Sequence, residues 1–240
     1  MTQSEAYELY KSRIDDYRKL SDLLGETEKD EVFFESLLEV IPNDLLSNQQ
    51  FLLDCVKYNS LIFHFLSADL KNDINFILSV IDINPCLLFD NFNKSFLTSP
   101  KFIEKINHYI KTENGYFMKF TNSESQKDRD LILKGLKTSE YAFKYAHTSV
   151  KSDYEFVVTA ASVNGLILRY YCSDFIINSV QTTNYHDNFY FDRNLTLTAV
   201  KNCGIALKFV APQFKKDKEI IKAAIKQNKF AENYNNLESE

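Results

Sequence analysis

The side chains that could do chemistry are few and widely spaced. Four cysteines (Cys55, Cys86, Cys172, Cys203) lie no closer together than 31 residues. That spacing excludes C-x-x-C redox and zinc-ribbon chemistry, and the four read as reduced, buried thiols. The four histidines (His64, His108, His147, His186) form neither H-x-x-x-H nor H-E-x-x-H, so no metal site is expected. His64, set in LIFHFLS, reads as a packed core histidine. Asp69, Asp73, Asp82 and Asp90 lack the spacing of a calcium loop. The phosphate-cradling patterns G-x-x-x-x-G-K-[ST] and G-x-G-x-x-G are absent, as is the nucleophile elbow G-x-S-x-G. Ser149 and Ser179 have no evident base and orienter. No catalytic residue and no cofactor is therefore expected.

Binding chemistry is better represented. Residues 172–191 hold Tyr185, His186, Asp187, Asn188, Phe189, Tyr190 and Phe191; the stretch reads as a self-packed surface loop or as a binding face, since aromatic side chains are common interface anchors. A second group is the lysine set Lys208, Lys215, Lys216, Lys218, Lys222, Lys226 and Lys229. It suits an acidic protein, a phosphoinositide or a nucleic acid, or it is a solvated capping face. The expected binding residues are Tyr185, His186, Phe189, Tyr190, Lys215, Lys216 and Lys222.

The elements that position these residues follow from composition and periodicity. The chain has 240 residues, 45% hydrophobic and 25% charged, which fits a globular protein and excludes wholesale disorder. Only 5 Gly and 4 Pro are present, too few for the turns of an all-β chain. No apolar run reaches the ~18 residues of a membrane span. The charged start MTQSEAYELYKSRIDDYRK is no secretory signal. Residues 1–47 carry 12 acidic and 5 basic side chains (net −7), whereas 201–229 carry eight Lys and two acids (net +6). The overall charge of −5 and the scarcity of Arg disfavour nucleic acid as the main partner.

A repeat of 25 residues dominates the chain. Taking a polar turn residue as anchor gives Asn59, Asn84, Asn114, Ser139, Asn164, Cys203 and Asn228, with successive spacings of 25, 30, 25, 25, 39 and 25. Asp stands 11 residues before five anchors (Asp73, Asp128, Asp153, Asp192, Asp217), and Asn48 takes that place before Asn59. Each is expected to be a helix N-cap. Apolar residues 8, 7, 4 and 3 before the anchor form one helical face. The residue four before it is often small (Cys55, Gly135, Ala160, Ala199, Ala224), which lets neighbouring helices approach closely. Asn164–Gly165 is expected to be a left-handed helix stop. A second short helix then carries apolar residues at +3 and +4 and an aromatic at +6: Phe65, Phe120, Tyr145, Tyr170, Phe209 and Tyr234, with Asp90 the departure. This column reads as a core ladder rather than a row of ligand-stacking rings.

One unit is too small to bury its own apolar face, so units must stack. The expected fold is all-α: stacked helix-turn-helix repeats forming a solenoid or curved repeat domain over 48–234, with an insertion at 172–191. Residues 1–47 read as an acidic helical cap. Its first helix spans 4–24 along Tyr10, Ile14, Tyr17 and Leu24 and ends at Gly25. A degenerate unit with Phe33, Phe34, Leu37, Leu38 and Ile41 follows, and 235–240 is a polar tail.

The segments FVVTAASVNGLILRYY (156–171), LTLTAVKNCGIALKFVA (195–211) and EIIKAAIKQNKFA (219–231) resemble a short helical repeat family of unknown function. That family occurs in bacteria and some protists and viruses, and includes many proteins that look like secreted effectors of intracellular bacteria. The resemblance is good over about 128–234, weaker over 50–127 and absent from 1–47, and it brings no catalytic motif. It implies a helical repeat, residence in the bacterial cytoplasm before secretion into a host cell, and a protein partner, either a host protein or another effector. The expected function is non-catalytic protein–protein recognition. The alternatives are an anionic-lipid or nucleic-acid binder through the C-terminal lysines, or an enzyme with an unrecognised site.

Overall fold

The computed structural model describes residues 1–24, 41–58, 62–63, 66–85, 87, 93–172 and 189–235, the side chains of 17–24 excepted. Several expectations lie outside them: those on Tyr17, Leu24, Gly25, Phe33, Phe34, Leu37, Leu38, Asn59, His64, Phe65, Cys86, Asp90, Ser179, Tyr185, His186, Asp187 and Asn188. Among the described residues every regular element is helical. The chain forms two compact units, Met1–Phe96 and Leu97–Glu240. The division falls between Asn84 and Asn114, where the 25-residue frame carries five extra residues.

In the first unit, helix α1 (Gln3–Leu24) buries Ala6, Tyr10 and Ile14, one side chain per turn, and packs on α2 (Gln49–Tyr58). Helix α2 packs in turn on α3 (Ile74–Ile83). In the second unit the order is α4 (Pro100–Thr112), α5 (Arg129–Leu136), α6 (Tyr154–Val163), α7 (Arg193–Asn202) and α8 (Lys218–Gln227), each packed on the next. A parallel row of short helices accompanies them: Gly115–Phe120, Tyr141–Lys144, Gly165–Tyr170, Gly204–Phe209 and Lys229–Tyr234. Neighbours in this row also touch in chain order.

The expected caps are made. The carboxylates of Asp73, Asp128, Asp153, Asp192 and Asp217 accept the backbone N–H groups of the first helical turn. Asn48 does the same for Phe51 at 3.0 Å. This answers donors that have no partner within the helix. Each repeat also has a piece the sequence reading lacked. A single helical turn precedes the cap, and the cap's own N–H donates to the carbonyl three residues back: Leu45, Leu70, Ser125, Val150, Phe189 and Phe214. Helix α4 is the exception, opening with Pro100 and no side-chain cap.

The residue after four of the six caps ties one repeat to the next. Gln49 reaches Asp73 at 3.0 Å, Arg129 reaches Asp153 at 2.5 Å, Tyr154 reaches Asp192 at 3.3 Å and Arg193 reaches Asp217 at 2.8 Å. The 14 extra residues between Tyr154 and Asp192 leave this ladder unbroken.

The left-handed stop expected at Asn164–Gly165 is not formed. Asn164 is extended (φ −146°, ψ 101°), and Gly165 does not enter the left-handed region. The Asn164 N–H closes α6 on the Ala160 carbonyl, while its side chain accepts the Leu166 N–H and opens the next short helix. Gly165 is required for close approach instead. A Cβ there would sit 2.1 Å from the Ala199 carbonyl oxygen; at Gly204 it would sit 2.3 Å from that of Ala224, and at Gly115 2.3 Å from that of Gly135. The partners are the small residues four before the next anchor. Each glycine N–H donates to a side chain of that next repeat: Thr138, Asn202 or Gln227.

Candidate functional site

The row of short helices supplies a candidate binding edge. Gly115–Phe120, Gly165–Tyr170 and Gly204–Phe209 are 3₁₀ helices, in which residues three apart eclipse one another, and in the α-helical turn Tyr141–Lys144 residues three apart are surface neighbours. The residues two and five after the anchor therefore share a face. These are Tyr116 and Lys119, Tyr141 and Lys144, Leu166 and Arg169, and Ile205 and Lys208. The cation at +5 lies over the aromatic at +6 in every case. Lys119 Nζ is 5.6 Å from the Tyr116 and Phe120 centroids. Lys144 Nζ is 5.3 Å from those of Tyr141 and Tyr145. Arg169 Cζ is 5.8 Å from Tyr170 and from Phe209 of the following repeat. Lys208 Nζ is 6.0 Å from Phe209 and from Tyr234 of the following repeat. Each such contact is worth about 0.5–1 kcal/mol where exposed.

The aromatic column is core on one side and surface on the other. Phe120 and Tyr170 are buried, while Tyr145, Phe209 and Tyr234 are half-buried. Tyr116 meets Tyr141 and Tyr145 edge-on, at 5.2 and 5.7 Å. Burial, and then the hydrogen bond with Tyr116, push the Tyr145 hydroxyl up to about 12. Arg169 is held by Glu140 at 2.9 Å, so the lysines carry most of the outward positive charge. The sequence signal was the dipeptide cation–aromatic, repeated as Lys119–Phe120, Lys144–Tyr145, Arg169–Tyr170 and Lys208–Phe209. Reading the aromatic column alone missed it.

Of the residues expected to bind, the described ones are dispersed. Tyr185 and His186 lie outside the described residues. Phe189 packs against Tyr154 and Tyr171, with centroids 5.8 and 5.6 Å apart, in the position that Val150 and Phe214 fill in other repeats. It is half-buried there. Tyr190 meets Phe191 edge-on at 5.0 Å, and Phe191 is exposed. Lys215 and Lys216 belong to the single turn Pro212–Lys216 before Asp217. Lys222 stands on α8 with Lys218 and Lys226, around Ile221 and Ile225.

Ser149 Oγ lies 2.7 Å from His147 Nδ1. The same nitrogen accepts the Ser149 backbone N–H and caps the single turn Thr148–Lys151. Local turn geometry explains the pair. Cys55 is buried, Cys172 and Cys203 are half-buried, and all three are free thiols. No group of His, Cys, Asp or Glu among the described residues is placed to hold a metal ion, and no described helix is long and apolar enough to cross a membrane.

A family model described as "Domain of unknown function (DUF4116)" matches residues 48–96, 128–176 and 192–237. Each match opens on a cap residue (Asn48, Asp128, Asp192) and takes in a second cap (Asp73, Asp153, Asp217). The family unit therefore contains two of the 25-residue repeats. The unmatched stretch between the first two matches holds α4, the helix without a side-chain cap. No curated protein and no solved structure gives a significant match.

Proposed function

We propose that this chain, which belongs to the DUF4116 family of domains of unknown function, is a non-catalytic recognition module that binds another protein along the basic–aromatic edge of its second unit. The observation that carries the reading is the recurrence of one cation on one aromatic edge per repeat, from Lys119 to Lys208. Rings fix the cations in place without neutralising them, so their charge stays available to carboxylates. Packed helices lie about 8–10 Å apart, the length of about three residues of extended chain. An extended segment with an acidic side chain at about every third position would meet successive cations. The resemblance to effector-like repeat proteins favours a host protein or another bacterial effector as the partner.

The test is a pull-down from host-cell and bacterial lysates with the full chain, wild type beside Lys144→Glu/Lys208→Glu. The expected result is one dominant partner, captured by the wild type, released by salt and absent from the double variant. Equal capture by both proteins, or none by either, overturns the reading.

A further inference from the structure

Helix α8 presents an open face that the three preceding repeats keep covered. Eight residues after the cap stand Leu136, Ala161 and Val200, all 0% exposed. Ile225 fills the same position and is half-exposed. With Ile221 it floors a groove of about 420 Å³ rimmed by Lys218, Lys222 and Lys226. Phe230, two residues after its anchor, is 74% exposed; its counterpart Tyr116 is covered by Tyr141 and Tyr145 of the next repeat. Lys218 occupies the position from which Arg129 and Arg193 reach the cap aspartate of the neighbouring helix.

We propose that this face docks an amphipathic helix of a partner protein, with an apolar stripe flanked by Asp and Glu and an acidic N-cap beside Lys218. The apolar floor matches what each repeat offers its neighbour, so a helix lying parallel to α8 is the shape that fits. The three lysines select the charge: acidic flanks are attracted, and the same face of a second copy is repelled. This docking is independent of the basic–aromatic edge.

The experiment is a fluorescence titration of the full chain with a labelled synthetic helix of about 20 residues. One peptide has an Asp cap, a leucine stripe and glutamate flanks; its twin has lysine flanks. Phosphatidylserine vesicles and a duplex oligonucleotide serve as competing probes. The glutamate-flanked helix is expected to bind, more weakly as salt rises. Binding is expected to fall at least about tenfold in Ile225→Asp and in Lys222→Glu/Lys226→Glu, and to persist in Lys144→Glu. The second variant, altered only at exposed lysines, keeps the test valid should Ile225→Asp fail to fold. No binding of the acidic helix, equal binding of its twin, binding of vesicles or oligonucleotide alone, or self-association abolished by Ile225→Asp would each overturn the proposal.

Discussion

A cap aspartate in this chain does two jobs at once, and pH can separate them. One Asp217 oxygen accepts the N–H groups of Glu219 and Ile220, while Arg193 binds the carboxylate at 2.8 Å. Arg193 first, then the two N–H groups, hold the Asp217 carboxyl below its ordinary value. Asp153 shifts in the same direction, through the Phe156 N–H first and Arg129 next. A folded value below the unfolded one gives stability that is complete above the ordinary carboxylate value. It is lost as the pH falls through the depressed value. Asp217→Asn keeps an acceptor and loses the charge, so its stability should fall less steeply than the wild type's between neutrality and about pH 3. Asp217→Ala loses the acceptor too, at about 1 kcal/mol in neutral solution. Urea midpoints across that range check both; parallel acid loss in the wild type and Asp217→Asn would mean that other groups govern it. The thiols give a simpler readout. Cys55 is fully buried and its thiol is pushed up to about 12, chiefly by burial. Iodoacetamide on the native protein should label Cys172 and Cys203 well before Cys55, as mass spectrometry would resolve; early labelling of Cys55 would contradict the packing of α2.

Between elements, the contact that matters most is glycine against the small residue of the next helix. Gly165→Ala and Gly204→Ala each place a Cβ within 2.3 Å of a backbone oxygen. Because these oxygens belong to neighbouring helices, relief requires the helices to separate. Each substitution should cost about 1–3 kcal/mol, measured as a lower urea midpoint; an unchanged midpoint would show that the helices are not so closely held. Much of this was legible in the sequence. The aspartate column announced the caps, and the small column announced close approach. Asn164–Gly165 misled because an Asn-Gly pair serves equally as a left-handed stop or as a cap followed by a close-approach glycine. The deciding neighbour, Ala199, is remote in sequence. The single turns before the caps are too short to show periodicity. The cation–aromatic edge was written in adjacent residues, but it becomes a surface only when the short helices bring positions three apart onto one face.

At the scale of the second unit, each repeat's contacts are with its neighbours in chain order, and stability should be a sum of repeat and interface contributions. The extra residues before Asp192 do not alter this, because Gly165 still packs on Ala199, and Tyr154 still meets Asp192. Damage at one interface should therefore spread only to repeats that lean on it. Gly204→Ala strains the contact between the Gly204–Phe209 turn and α8, so faster amide exchange is expected across 217–234 while 129–170 stays protected. Gly165→Ala strains the interface one step earlier, and exchange should rise from 192 through 234, both repeats opening as a pair. Hydrogen–deuterium exchange with peptide-level mass spectrometry distinguishes the two patterns. A uniform rise over 97–235 in both variants would mean that the unit opens as a single cooperative body. In a nearest-neighbour array, by contrast, α8 can loosen or be clamped without disturbing the lysines at 119 and 144. Ligands at the two surfaces would then bind without strong mutual coupling.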